Sequence, residues 1–112
     1  MNILVIEDDP SVRTLVKAVL EHNGNKVTTA DNANEGETNA IENEFDMIIL
    51  DLGLPDGDGY EVCKNIRDKN INTPVLILSG EQETDVKVKM LKVGADDYLT
   101  KPFNTDELIA RL

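Results

Sequence analysis

Three stretches, Ile3-Leu4-Val5-Ile6, Met47-Ile48-Ile49-Leu50 and Val75-Leu76-Ile77-Leu78, constrain this chain more than any others in it. Each is apolar at every position instead of at alternate ones, which is the pattern of a strand buried on both faces. Such strands belong to parallel sheets, because the helices that connect parallel neighbours cover both sides. Two weaker strand segments, Lys26 to Ala30 and Asp97 to Thr100, bring the expected sheet to five strands.

Between these runs the apolar period becomes that of a helix. Val12, Leu15, Val16, Val19 and Leu20 share one face, Asp9 is placed as N-cap, Pro10 suits the first helical position and Gly24 follows the end. A second helix is expected from about Ala33 to Asn43, weakened by Gly36, Thr38 and Asn39. A third follows the stretch DLGLPDGDGYE, a fourth runs from about Glu83 to Val93 before Gly94, and a fifth begins near Asn104. That last helix meets no stop signal through Arg111-Leu112, as in a helix truncated from a longer chain. Strand and helix alternate throughout, which predicts one doubly wound α/β domain over residues 1–112 with helices on both faces.

Composition narrows the function. A net charge of −11 argues against this segment gripping nucleic acid or anionic lipid, both of which demand an excess of Lys and Arg. No apolar run approaches the roughly 20 residues that span a bilayer. The N-terminus passes from Ile6 straight into Glu7-Asp8-Asp9 without a leader pattern, so the expected location is cytoplasmic. Cys63 stands alone, excluding an internal disulfide, and its helical spacing with Val62 and Ile66 marks it as core. His22, near the end of the first helix, suits the negative end of the helix dipole better than a catalytic role.

Ligands of open α/β sheets sit beyond the carboxyl ends of the strands, where strand order reverses. The first strand leads into Glu7-Asp8, the third into Asp51, the fourth into Ser79-Gly80 and the fifth into Lys101-Pro102. Singly, each is ordinary: acids after strands cap helices, Ser makes turns and Lys-Pro marks loops. Together they place three carboxylates, a hydroxyl and an ammonium on one edge. Three converging carboxylates form a hard-oxygen site suited to Mg²⁺, which also explains how the negative groups coexist. Ammonium and hydroxyl beside one carboxylate complete the set for phosphoryl transfer, with Asp51 as the nucleophile.

The segments ILVIEDDPSVR, ILDLGLPDGDGYEV, PVLILSG and GADDYLTKPF, in that order, resemble the receiver domain of two-component response regulators over essentially the whole chain. The last segment is similar to the OmpR/PhoB class. The resemblance implies a flavodoxin-like sheet of strand order 2-1-3-4-5. It makes Asp51 the phosphoacceptor, with Glu7, Asp8 and Asp51 holding Mg²⁺ together with the backbone carbonyl of Gly53. It makes Lys101 the phosphate-binding lysine, Ser79 the switch hydroxyl and Tyr98 the aromatic that turns inward on activation, and it implies a cis bond before Pro102. The implied donor is a histidine kinase or phosphotransfer protein. The implied outcome is a phosphorylation-favoured homodimer through the fourth helix, fifth strand and fifth helix, in which Lys87 pairs with Glu107 and Asp97 with Arg111 around Leu91 and Ile109. An output domain, expected to control transcription, lies outside this segment.

The other acids of the middle stretch divide the remaining work. Asp58, three residues before Glu61, fits a capping box for the third helix, and Asp56 is expected to be a solvated loop residue. A calcium-loop reading fails because ligand positions fall on Gly53, Pro55 or Arg67. Two rivals remain. A haloacid-dehalogenase-type aspartyl-phosphate hydrolase uses similar groups, but the position two after the nucleophile, where its acid–base residue belongs, is Gly53. A degenerate receiver that binds without phosphate is disfavoured by the intact set of Glu7, Asp8, Asp51, Ser79 and Lys101.

Overall fold

The computed structural model describes residues 1–80 and 84–112. Its elements run β1 (Asn2–Ile6), α1 (Pro10–His22), β2 (Lys26–Ala30), α2 (Ala33–Glu42), β3 (Met47–Leu50), β4 (Gly53–Leu54), β5 (Gly57–Asp58), α3 (Gly59–Asp68), β6 (Val75–Ser79), α4 (Thr84–Val93), β7 (Asp97–Thr100) and α5 (Thr105–Ala110). Five strands form one parallel sheet in the order β2-β1-β3-β6-β7. Counted without the small ribbon of β4 and β5, this is the expected order 2-1-3-4-5.

The continuous apolar runs conceal an alternation that only the sheet makes visible. Leu4, Ile6, Ile48, Leu50, Val75 and Ile77 face one core with Ala33, Val62, Cys63, Ile66 and Met90 of α2, α3 and α4. Ile3, Val5, Met47, Ile49, Leu76 and Leu78 face the other core with Val16, Leu20 and Leu108 of α1 and α5. Successive strand side chains point to opposite faces, so a strand between two helix layers must be apolar at every position. Each fully buried Leu or Ile contributes roughly 1.5–3 kcal/mol relative to exposure.

The helix boundaries follow their chemistry. Asp9 accepts from the amides of Ser11 (2.9 Å) and Val12 (3.4 Å), and Gly24 takes a left-handed φ of 85° just past the end of α1. His22 does stand in the last turn of α1. Asn32 and Asn104 cap α2 and α5 in the same manner as Asp9. Gly36 lets α2 lie against β1, since a Cβ there would sit 2.7 Å from Ile6.

Several expectations need correction. Leu15, placed on the inner face of α1, is 48% exposed. It lies one residue, about 100° of helix turn, from buried Val16, beyond the stripe that reaches the sheet. Helix α2 stops at Glu42, and Asn43 is its C-cap. Glu83, given as the start of the fourth helix, lies outside the described residues. Apart from these corrections, α5 is described over Thr105–Ala110, and after it the amides of Arg111 and Leu112 bond to Leu108 and Ile109 (both 3.2 Å). The β4–β5 ribbon, pairing Gly53 with Asp58 and Leu54 with Gly57, was not expected, because two-residue strands flanking Pro55-Asp56 carry no periodicity to read.

Candidate functional site

Sheet order reverses between β1 and β3, and the acids gather there. Each site residue lies at or just past a strand end, where the ladder continues for one more bond. The amide of Glu7 donates to Ala30 (3.0 Å), that of Asp51 to Ile6 (2.9 Å) and that of Lys101 to Ser79 (2.7 Å). The paired strand ends thus fix where these side chains start. The peptide bond between Lys101 and Pro102 is cis.

One carboxylate oxygen from each of Glu7, Asp8 and Asp51 lies within 4.8 Å of the others. Among the described residues this is the one such group of acid, His or Cys side chains able to share an ion. Glu7 and Asp51 are buried, as is Ser79, while Asp8 is exposed. The Lys101 ammonium joins the set at 2.5 Å from Glu7 Oε1 and 3.4 Å from Asp51 Oδ1. Burial pulls the Lys101 pKa down, but the hydrogen bond to Glu7 and the charges of Asp51 and Glu7 outweigh it, and the net shift is upward.

Glu7 bears the strain of the arrangement. Burial, followed by the neighbouring Asp51 carboxylate, pushes its carboxyl up to about 7, against the opposing influence of Lys101. Its second oxygen, Oε2, is buried without a hydrogen-bond partner. A buried acceptor without a partner in a cluster of hard oxygens is a donor set that fits a small divalent cation, and it suits Mg²⁺ better than a softer metal. Gly53, the fourth expected contributor, is exposed in β4 with open space where a side chain would be.

Three supporting residues were not recognised from sequence. Arg13 donates to the carbonyls of Glu7 (3.0 Å) and Asp8 (3.3 Å), tying the loop that carries both acids to α1. Gly59 starts α3 against the backbone of Asp51 and Leu52, where a Cβ would lie 2.6 Å from the Asp51 carbonyl oxygen. Asp56 is exposed, as expected, but not merely solvated. It accepts from the amides of Ala33 (2.6 Å) and Asn34 (3.0 Å) at the start of α2, and the bonds from Asn34 and Ala33 hold its carboxyl below the usual aspartate range. The only sequence signal for Gly59 was the density of glycine in DGDG, and neither Arg13 nor Asp56 carried one, because their partners are backbone groups. Asp58 does cap α3, accepting from Tyr60 (2.9 Å). The Glu61 half of a capping box is not formed among the described contacts, since the Asp58 backbone belongs to the ribbon.

The residues expected to form a dimer face fall on α4, β7 and α5, with Arg111 just past the end of α5. Leu91 is 47% exposed, whereas Ile109 is half-buried against the α1–α5 core. Arg111 reaches Asp97 within the same chain, with Nη1 at 2.8 and 2.9 Å from its two oxygens, and Glu107 at 4.0 Å. Lys87 lies over the ring of half-buried Tyr98, 5.6 Å from its centroid.

A family model described as "Response regulator receiver domain" matches residues 3–112. The chain belongs to that family. The cell cycle transcriptional regulator CtrA of Caulobacter vibrioides is 46% identical over 112 residues, covering 100% of this chain and 48% of the relative. The cell cycle response regulator CtrA of Brucella ovis is 45% identical over the same length. This receiver therefore spans about half the length of the curated relatives it matches. Among solved structures, the receiver domain of Francisella response regulator 1452 superposes with a TM-score of 0.94 at 43% identity, over 98% of this chain and 91% of that one. The chain is thus a CtrA-like receiver domain of a two-component response regulator. No described helix is long and apolar enough to cross a membrane.

Proposed function

We propose that this receiver is a phosphorylation-dependent switch that accepts a phosphoryl group on Asp51 from the phosphohistidine of a kinase or phosphotransfer protein. The observation that carries the reading is the convergence of Glu7, Asp8 and Asp51 within 4.8 Å, with Lys101 bridging Glu7 and Asp51. In this reading an Asp51 oxygen attacks phosphorus, the P–N bond breaks, and the donor imidazole leaves with the electron pair. Glu7, Asp8, Asp51 and the Gly53 carbonyl hold Mg²⁺, which supplies charge neutralisation for the incoming phosphoryl oxygens. Lys101 offsets the remaining charge, and burial strengthens every such interaction.

The phosphoryl group brings acceptor oxygens that require donors. Ser79, at the end of β6, moves toward it, Tyr98 turns inward into the space released, and the α4–β7–α5 face shifts toward a homodimer. Output, transcriptional in this reading, belongs to the part of the protein outside this segment, and the cytoplasm is its compartment. The receiver's net charge of −11 keeps it from contacting nucleic acid directly. Family membership and Gly53 two residues after Asp51 disfavour the hydrolase alternative.

Incubation with Mg²⁺ and acetyl phosphate, read by intact mass, tests the reading. A single phosphate adduct in wild type and none in Asp51→Asn is the expected result. No adduct under any condition would leave a phosphate-independent binding module, and rapid turnover of a phosphoester would restore the hydrolase.

A further inference from the structure

The two charge pairs expected across a dimer are not equally ready. Asp97 and Arg111 already satisfy each other within one chain, at 2.8 and 2.9 Å. Glu107 has only the 4.0 Å approach of Arg111 among the ion pairs of the described residues. Its expected partner, Lys87, is instead on the face of Tyr98, the ring expected to move on activation. An ammonium within about 6 Å of a ring centroid is attracted by the ring's negative face, more strongly where both are partly shielded from water. Lys87 and Tyr98 are both half-buried, and the ring packs against the core shared by α2, α3 and α4.

We propose that Tyr98 holds the Lys87 ammonium in reserve in the unphosphorylated receiver, and that the inward turn of the ring releases it to pair with Glu107 of a second copy. The inference rests on the dimer reading above and adds what regulates it. A ring that turns toward Ser79 takes its face away from α4, and Lys87 then loses its intramolecular partner. The freed ammonium remains on the α4 side beside exposed Leu91, four residues further along the helix. Lys87 is thus a positioning residue through which the switch acts on its interface, and the ring competes with Glu107 for one cation.

Lysine-resolved NMR tests this directly, with Lys87→Arg used to assign the Lys87 ε-methylene signal and sedimentation recorded on the same samples. Without Mg²⁺ or phosphoryl mimic, the signal should be shifted upfield by the Tyr98 ring current. It should stay so in Tyr98→Phe, which keeps the ring face, and return to the free-lysine position in Tyr98→Leu. Adding Mg²⁺ and beryllofluoride should abolish the shift in wild type as the dimer forms, and Lys87→Gln should weaken that dimer by up to about fivefold, the range of exposed ion pairs. An unshifted signal at the outset, or one that stays shifted in the dimer, overturns the inference while leaving the dimer intact. A shift abolished with no dimer formed overturns the dimer reading and, with it, Glu107 as the destination.

Discussion

Replacing Asp51 by Asn removes one negative charge from a site where three carboxylates gather and a single ammonium bridges two of them, Glu7 and Asp51. With partner oxygens no more than 4.8 Å apart, each like-charge pair costs at least about 3.5 kcal/mol at an effective dielectric near 20 and at least about 0.9 kcal/mol in water. Lys101 at 3.4 Å returns about 5 kcal/mol on the first scale and about 1.2 kcal/mol on the second. Two repulsions of at least that size against one attraction leave Asp51 a net burden of at least roughly 0.5–2 kcal/mol on the metal-free fold. Asn preserves the shape, so Asp51→Asn should raise stability by that amount in urea titrations at pH 8, low salt and EDTA, with an unchanged m-value. Mg²⁺ should then reverse the ranking. At a hundredfold excess over its dissociation constant it would add about 2.7 kcal/mol to the wild type, and the variant, lacking one of the proposed ligands, should gain much less. A variant less stable than wild type in EDTA, or an equal response of both proteins to Mg²⁺, would refute the electrostatic account of this site.

Gly59→Ala places a methyl group 2.6 Å from the Asp51 carbonyl oxygen, so α3 must back away; about 1–3 kcal/mol of stability should be lost in denaturant melts, and adduct formation with acetyl phosphate should slow. Arg67 donates to the carbonyls of Gly94, Ile71 and Thr73 and to Asp96, joining α3 to the start of β6 and β7. Arg67→Met should therefore cost about 2–4 kcal/mol by the same melts, and Arg67→Lys should fail to restore it, because an ammonium cannot reproduce the fork. Asp56 has its folded pKa lowered by the amides of Asn34 and Ala33, so its contribution is present above the ordinary value of 3.8 and is lost as pH falls through the folded one. The stability gap between wild type and Asp56→Ala should be open at pH 7 and close as pH falls below the ordinary aspartate range in urea titrations; a gap independent of pH would show that the charge is not what holds the start of α2.

The expected strands and helices were legible in the sequence because burial on two faces and burial on one face write different periods into the chain. The continuous runs ending at Ile6, Leu50 and Leu78 mark the sheet, and the strand ends of such a sheet point to Glu7, Asp8, Asp51, Ser79 and Lys101 as neighbours. Asp9 and Asp58 as caps were equally local matters, settled by the chemistry of a side chain and the amides two or three residues on.

Contacts between side chains and distant backbone were beyond that reading, since a carbonyl is the same at every position and leaves no mark in the sequence. Arg13 on Glu7, Asp56 on α2 and Arg67 on three carbonyls became visible only once the chain had folded. So did the spacing of the acids, the orphan oxygen of Glu7 and the placement of Lys87 over Tyr98. Sequence alone determined which residues stand at strand ends, because the period of burial marks where each strand stops, while the strand order that makes them neighbours came with the family resemblance. Tertiary structure alone decided how far apart their charges stand, and in a site of like charges distance sets the energy.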